Sequence, residues 1–454
     1  MPPERTLRLL YTLYQGNPYS GGQGVYLYEV TREMAQRGHE VHIIAGSPYP
    51  RTAPGVTLHK VESYSFWAHF DDRQAFFGRP PWTFFHPVNF WEFAATKQTL
   101  SQLLLMFSLR AYRLMKELGP FDLIHDNQTL AYGHLLMRQH APLVSTIHHP
   151  LSIDRDNTLF QAGNLLERFR RSLWFPWVMQ EVVARRSDAV VTVSGTAARA
   201  IERAFRVPPE KLHVIYNGVA TDVFRPLRGI ERDRGHIVYM ANTEDANKGV
   251  AFLLKACRML ADEGEDFRLT IVDRDEADLN VAPRLVRQLG LHGHVRFTGR
   301  LEEDELVALL NRCTFAVCAS VYEGFGLPAC EAAACGTPLV STTGGALAEV
   351  LEPGVSAHMV PAGDAGALAE GMRRLLHDRA LRDQLSATAR GSITARFSWA
   401  QAGDQLEALY RQVIANRAAG LEGRSRRLRG IVGRLRPRTA RQREAAPEPM
   451  STEA

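Results

Sequence analysis

Two glutamates separated by seven residues flank a glycine-rich segment and form the most informative pattern in this sequence. Glu323 and Glu331 enclose GFGLPAC, in which two glycines remove side chains and Pro328 suits the first turn of a helix. A helix that begins there would point backbone N–H groups at a phosphate, and flanking carboxylates accept hydrogen bonds from hydroxyls. The pattern therefore predicts a site for a ligand with phosphate and hydroxyl groups, such as a nucleotide sugar.

Three further candidates precede this pattern along the chain. SGGQG at 20–24 follows a short apolar run, and a glycine turn between a strand and a helix brings N–H groups close to phosphate. His148 ends the strand-like stretch LVSTIH, where it could bond a sugar hydroxyl or simply be satisfied by its neighbours. Lys248 precedes a glycine in NKGV and could hold phosphate or be a solvated residue before a turn.

All of these candidates lie where short apolar runs give way to helical stretches. Such runs occur at 7–13, 41–45, 123–125, 143–147 and 189–193, and a second series begins near 236. This alternation predicts an α/β protein with two doubly wound parallel sheets, which bind ligands at the carboxyl ends of their strands. We predict domains at 1–220 and 236–398, a polar linker at 221–235 and a helix at 399–418.

The segment EGFGLPACEAAACGTPLV at 323–340 resembles the EGFGLPxxEAxAxGxPV pattern of glycosyltransferase family 4. Weaker matches lie at 20–41, 145–150, 214–226 and 341–351, so the resemblance covers about residues 5–418. It implies the GT-B fold, in which two Rossmann-like domains face a cleft and a C-terminal helix crosses back to the N-terminal domain. It also implies transfer of a sugar from a nucleotide sugar with retention of anomeric configuration, without a metal or cofactor.

Carried over position by position, the resemblance implies roles for individual residues. It gives catalytic roles to His148, Lys248 and Glu323. It places a second set of residues at the donor: Gly21, Gly22, Asn242, Phe325, Gly326, Leu327 and Glu331. Within this set Glu331 is expected to bind the ribose, and the backbone amides are expected to bind the pyrophosphate.

Asn242 departs from the family pattern, which usually has an arginine six residues before the lysine. Asparagine donates hydrogen bonds but brings no charge. We therefore expect a less positive phosphate site, with Arg274 or Arg300 as candidate replacements. The departure keeps open the alternative of a non-catalytic binding or scaffold protein. A nucleotide-sugar epimerase is a further alternative, against which the Glu323–Glu331 pattern argues. A dehydrogenase is disfavoured because no acidic residue ends the second predicted strand.

Acceptor contacts are expected in the N-terminal domain, with a glycan or lipid-linked acceptor of polysaccharide, lipopolysaccharide or glycolipid biosynthesis. Asp126 and Asn127 follow a predicted strand, where they could face the acceptor or cap a turn. Residues 64–93 hold 12 aromatic residues and predict an insertion or long loop. Trp67 and Trp82 in this segment could stack on sugars, enter a lipid surface or pack within their own loop.

The charge of the chain is unevenly placed. Nine arginines and no acidic residue occupy 424–443, whereas the formal net charge of the whole chain is only +5. From 419 we expect a disordered tail, and we expect its basic part to bind an anionic membrane surface rather than nucleic acid. The five cysteines lack zinc spacings, and no apolar run is long enough to span a membrane. These features predict a cytoplasmic protein, peripheral on the inner face of the membrane.

Overall fold

The computed structural model describes residues 5–16, 22–62, 64, 78, 80–95, 100–150, 177–273 and 280–435. The described residues of the first half form seven strands: β1 (Arg8–Leu13), β2 (Glu40–Gly46), β3 (Val56–Val61), β4 (Leu123–Asn127), β5 (Leu143–Thr146), β6 (Ala189–Thr192) and β7 (Leu212–Val214). Its helices are α1 (Gly22–Gln36), α2 (Pro87–Ala95), α3 (Leu100–Leu118), α4 (Gly133–Met137), α5 (Trp177–Arg186) and α6 (Gly195–Phe205).

In the part of the second half that the structure describes there are six strands: β8 (His236–Met240), β9 (Arg268–Val272), β10 (Val295–Phe297), β11 (Phe315–Cys318), β12 (Leu339–Thr342) and β13 (His358–Val360). The helices between and after them are α7 (Val250–Asp262), α8 (Val281–Gln288), α9 (Glu303–Arg312), α10 (Leu327–Ala334), α11 (Leu347–Val350), α12 (Ala365–His377), α13 (Arg379–Arg396) and α14 (Trp399–Leu435).

Both sheets are parallel and doubly wound. Their strand orders are β3-β2-β1-β4-β5-β6-β7 and β10-β9-β8-β11-β12-β13. In each, the chain first moves outward from the central strand and then continues on its other side, which leaves a crevice at the carboxyl ends beside β1 and β8. The strands are buried without alternation, as in β1 and β12, because helices cover both faces. The predicted two-sheet α/β architecture is confirmed.

Three short edge strands and one helical segment were not expected from the sequence. The edge strands β3, β7 and β13 are partly exposed and lack a continuous apolar run. The aromatic segment was predicted to be an irregular loop, and this is wrong for its second half. There a 3-10 helix at Pro81–Phe85 leads into α2, which Arg110 of α3 holds by bonds to Glu92 and Asn89.

The C-terminal helix α14 is longer than predicted and packs on the N-terminal half. It continues to Leu435, so the prediction of disorder from 419 is wrong for residues 419–435. The reason lies in its composition, since arginine and leucine favour helix and each glycine costs only about 1 kcal/mol. Tyr410 Oη lies 3.0 Å from Tyr11 Oη of β1, and Arg37 after α1 donates to Asp404 at 2.7 Å.

Candidate active site

The loop between β11 and α10 forms one wall of the candidate site. Gly326 has φ +97° and precedes α10, whose N-terminus has no side-chain cap. Its first amides are therefore left for a ligand, and a helix N-terminus favours an anion. A Cβ on Gly324 would lie 2.7 Å from the carbonyl oxygen of His148, so only glycine allows this approach between the two halves.

The Gly344–Gly345 turn packs against the backbone of this loop at Glu323. Gly345 has φ +63°, and a Cβ there would lie 2.3 Å from the carbonyl oxygen of Glu323. The next residue, Ala346, donates its backbone N–H to that same oxygen at 2.9 Å. The second glycine motif of the sequence thus fixes the backbone that carries Glu323.

Lys248 and Glu323 form a partly buried ion pair. Lys248 Nζ lies 2.9 Å from Glu323 Oε1, and Ser320 Oγ donates to that oxygen at 2.9 Å. Burial alone would lower the pKa of Lys248, but the Glu323 carboxylate outweighs it and raises the pKa above its ordinary value. The lysine is therefore an ammonium at neutral pH, placed beside the helix start that faces the cleft.

His148 stands on the opposite wall, at the end of β5. Asn127 Nδ2 donates to the carbonyl oxygen of Gln23 at 3.0 Å, which turns its Oδ1 toward His148 Nε2 at 2.8 Å. An amide oxygen accepts, so the His148 proton is on Nε2. Burial, with smaller contributions from neighbouring histidines, lowers the pKa of His148 to about 3. The ring is neutral and oriented, and it is not a source of protons at neutral pH.

Asp126 does not face an acceptor. Its side chain is fully buried, and its oxygens accept from the backbone N–H groups of Thr129 and Leu130 at 3.3 and 2.7 Å. These bonds stabilise a turn in which Gln128 and Leu130 have positive φ. Of the two roles considered for Asp126, turn capping is the one its contacts support. Asn127 is likewise buried, and it contacts His148 instead.

Glu331 has surroundings unlike those of Glu323. It is half-buried on α10, and burial raises its pKa to about 7, helped by the charges of Glu303 on α9 and Glu29 on α1. Glu29 has a pKa of about 7 for the same first reason, burial. Because α1 and α10 belong to different halves of the chain, Glu331 lies where the two sheets face each other.

The other predicted donor contacts are only partly brought together. Gly22 begins α1, and a Cβ there would lie 3.8 Å from Leu327 Cδ1, so the first glycine turn faces the α10 start across the cleft. Phe325 is buried, with its ring centroid 5.3 Å from that of Phe397. Gly21 lies outside the described residues.

Asn242 is exposed and does not reach the Lys248–Glu323 pair through any described contact. Its Oδ1 accepts from the backbone of Glu244 at 3.1 Å, which caps a turn after β8. Of the two candidate replacements for the missing arginine, Arg300 is exposed in the loop after β10, and Arg274 lies outside the described residues. Among the described contacts of Glu323, the cation is Lys248.

Of the predicted aromatic acceptor contacts, Trp67 lies outside the described residues and Trp82 is 70% exposed. Phe85, Phe90, Trp91 and Phe93 nearby are also exposed, which leaves an aromatic surface on α2 and the turn before it. Among the described residues, no group of three or more His, Cys, Asp or Glu side chains could hold a metal ion. No described helix is long and apolar enough to cross a membrane.

Two residues that the sequence did not single out complete the site. Ser320 bonds Glu323, and its position three residues before the glutamate was the only available signal. Tyr26 of α1 packs its ring edge-on against His148, with centroids 4.9 Å apart, and bonds Thr146 at 2.9 Å. Nothing in the local sequence distinguishes Tyr26 from Tyr28, the other aromatic residue of α1.

Comparison with known proteins gives two contiguous family matches. Residues 20–223 match the model described as Glycosyltransferase Family 4, and residues 224–392 match the model described as Glycosyl transferases group 1. A relative from Mycolicibacterium hassiacum, an MMP alpha-(1->4)-mannosyltransferase, is 36% identical over 428 residues. That alignment covers 91% of this chain and 100% of the relative.

Solved structures share the fold at lower identity. Sucrose-phosphate synthase from Thermosynechococcus elongatus has a TM-score of 0.71 and 21% identity, covering 91% of this chain and 100% of that one. Anabaena HepE, solved in complex with UDP-glucose, has a TM-score of 0.64 and 17% identity, covering 89% and 100% of the two chains. The predicted GT-B fold is confirmed by these likenesses.

Proposed function

This chain belongs to glycosyltransferase family 4, and on that premise we propose that it moves a sugar from a nucleotide-sugar donor to a hydroxyl of a glycan or lipid-linked acceptor. Its being a glycosyltransferase follows from the family matches and from the mannosyltransferase relative. The donor, the stereochemical course and the acceptor are the parts we propose here.

One observation carries the proposal: Lys248, in the turn after β8, pairs with Glu323. Glu323 lies in the loop that the backbone of His148 approaches from the other sheet. Lys248 brings positive charge beside the uncapped start of α10, and both favour a diphosphate. Glu323, held by Lys248 and Ser320, offers its second oxygen to sugar hydroxyls. A scaffold protein would have no need for a partly buried charged pair at the edge of a cleft.

We propose a nucleoside diphosphate hexose as the donor. The relative is named as a mannosyltransferase, and HepE is solved with UDP-glucose, so mannose and glucose donors are the first to test. On this proposal the diphosphate lies between Lys248 and the amides of Phe325, Gly326 and Leu327. The ribose hydroxyls bond Glu331, and the Gly21–Gly22 turn approaches from the other side of the cleft.

We propose that transfer retains the anomeric configuration and needs no metal. Retaining glycosidases use a carboxylate nucleophile across the scissile bond, whereas Glu323 is already bonded to Lys248 and Ser320. His148 has a low pKa and its Nε2 proton is bound to Asn127, which does not suit a proton donor. The family resemblance implies attack from the face of the leaving group, with the donor phosphate accepting the proton of the acceptor hydroxyl. Lys248 would stabilise the charge that develops on the leaving diphosphate.

We place the acceptor on the exposed aromatic surface of the N-terminal domain. Trp82, Phe90 and Trp91 present rings on which pyranose faces can stack.

A cytoplasmic enzyme of polysaccharide, lipopolysaccharide or glycolipid synthesis would meet its acceptor at the inner face of the membrane. We propose that the arginines of 424–443 hold it there, because each basic residue near an anionic surface contributes about 1 kcal/mol.

The test is a donor screen followed by product analysis. UDP-, GDP- and ADP-sugars are compared for the rise they cause in melting temperature, since a ligand stabilises the state that binds it. With the best donor, purified protein should transfer sugar to an oligosaccharide acceptor in the presence of EDTA, and the new linkage should keep the donor configuration. Glu323→Gln should abolish transfer, while Glu370→Gln, an exposed carboxylate of α12, should not. An inverted linkage would overturn the mechanism, and absence of both transfer and donor hydrolysis would favour the non-catalytic alternative.

A further inference from the structure

A cluster of hydrogen bonds joins the two halves of the chain outside the residues assigned to the donor. Glu349 of α11 accepts from the backbone N–H groups of Gly195 at 2.7 Å and Thr196 at 2.9 Å. Thr196 Oγ1 donates to it at 3.0 Å and Tyr216 Oη at 2.5 Å. We refer to these four residues as the Glu349 cluster.

The Glu349 carboxylate lies at the N-terminus of α6, an 11-residue helix of the N-terminal half. A helix N-terminus carries partial positive charge, so it stabilises a carboxylate placed on its free amides. Burial alone would raise the pKa of Glu349, but the hydrogen bonds from Tyr216 and the two amides outweigh it and hold the pKa below its usual value. The contact between the halves is therefore made by a charged group at neutral pH.

The Glu349 cluster is connected to the loop that carries Glu323. Ser194, the N-cap of α6, donates its Oγ to the carbonyl oxygen of Gly324 at 2.6 Å. The Tyr216 ring centroid lies 6.5 Å from that of Phe325. On the other side, α11 directly follows the Gly344–Gly345 turn that supports the Glu323 backbone. The start of α6 thus bonds both the loop that carries Glu323 and the helix α11 that follows the Gly344–Gly345 turn.

We propose that Glu349 is a positioning residue for sugar transfer. It fixes the Glu323 loop against the start of α6, so that the donor groups of the C-terminal half meet His148 and the Gly22 turn of the N-terminal half. Glu349 does not touch the donor, and it acts through the backbone of Glu323 and Gly324. This role rests on the proposed function, because it concerns the same site.

The experiment compares the full chain with Glu349→Gln, Tyr216→Phe and the control Glu370→Gln. Hydrogen exchange should show the first turn of α6 opening at least tenfold faster in Glu349→Gln than in the control. The kcat for transfer should fall at least tenfold, while the Kd for the free nucleoside diphosphate stays within threefold, because its expected partners lie on α10. Tyr216→Phe, which removes one of four bonds, should lower kcat two- to fivefold.

Each outcome decides something about the positioning role. Exchange and kcat equal to those of the control would show that Glu349 does not hold the halves together. Faster hydrogen exchange with unchanged kcat would show that Glu349 makes only a structural contact, and it would refute the positioning role. Absence of transfer by the wild-type chain with every donor would overturn the proposed function, and the positioning role with it, whatever the exchange data show.

Discussion

The two glutamates of the 323–331 segment look equivalent in the sequence, but their surroundings differ. Glu323 is paired with an ammonium group and a serine hydroxyl, so its charge is balanced before any ligand arrives. Glu331 faces Glu29 and Glu303, and its pKa is raised to about 7, first by burial and then by their charges. A carboxylate held near its pKa gains most from a ligand whose hydroxyls solvate it. Glu323 is therefore held by protein contacts before the donor binds. On our proposal Glu331 gains its hydrogen bonds from the donor.

Replacing Lys248 by alanine tests the phosphate role at the residue scale. The change removes the ammonium that contacts Glu323, and loss of a preorganised charge-stabilising group typically costs about 100-fold or more in kcat. Lys255→Ala on α7 is the matched control, because that lysine is exposed on the same segment. Steady-state transfer kinetics measure both variants, and equal kcat values would remove Lys248 from the leaving-group role.

Glu331→Gln tests the cost of keeping this carboxylate in the cleft. A folded pKa raised from 4.5 to about 7 stabilises the fold below pH 4.5 and loses that stabilisation as pH rises through 7. Glutamine does not titrate, so the variant should exceed the wild type in stability by about 1–2 kcal/mol more at pH 8 than at pH 5, after allowance for partial exposure.

Chemical denaturation of both proteins at the two pH values gives this difference. The same variant should bind the nucleotide sugar more weakly, since the amide loses one acceptor for ribose hydroxyls. A stability difference that does not change between pH 5 and pH 8 would contradict the raised pKa.

At the scale of elements, the central strands and their helices were predictable because a buried parallel strand has a continuous apolar run. That signal alone predicts the strands β1 and β4 to β6. Most helices of the second half were then predicted in the stretches between such runs. The edge strands β3, β7 and β13 escaped it because one side of each is exposed. The contacts of Asn127 and Glu349 also escaped it, since both join positions more than a hundred residues apart. Spacing along the chain does not encode such pairs.

Gly218 gives a prediction for the connection between the halves. A Cβ there would lie 2.1 Å from the backbone nitrogen of Trp399, where α14 begins. Gly218→Ala should therefore displace the start of α14 and destabilise the fold by about 2–3 kcal/mol. Gly391→Ala on α13 has nothing within 4 Å and should stabilise by about 0.5–1 kcal/mol. Urea unfolding compares the two, and equal effects would mean that the close approach is relieved without cost.

At the scale of the whole molecule, α14 determines where the basic tail leaves the protein. The helix begins beside Gly218 at the connection between the halves. Further along, Arg417 donates to the carbonyl oxygen of Gln139, close to where β5 begins. Another 18 residues of helix follow, about 27 Å at 1.5 Å per residue. The described part of α14 thus runs away from the cleft, toward the amino ends of the strands.

The membrane role of these arginines is tested by changing charge without changing length. Full chains in which the nine arginines of 424–443 become glutamine or lysine are mixed with anionic vesicles and floated. Wild type and the lysine variant should float, and added salt should release both because screening weakens such binding. The glutamine variant should stay with free protein. Flotation of all three proteins would mean that the exposed aromatic surface, and not the arginines, makes the membrane contact.

The crossing of α14 also has a consequence for synthesis on the ribosome. Tyr410 is fully buried against Tyr11 and His125, so the core of the first sheet is closed by a residue nearly 200 positions after its last strand. At about 5–20 residues per second, the first 220 residues wait on the order of 10–40 s for that partner. During this interval the nascent chain exposes the face that α14 later covers, while the second sheet is completed first. The first sheet therefore emerges from the ribosome before the second sheet but is completed after it.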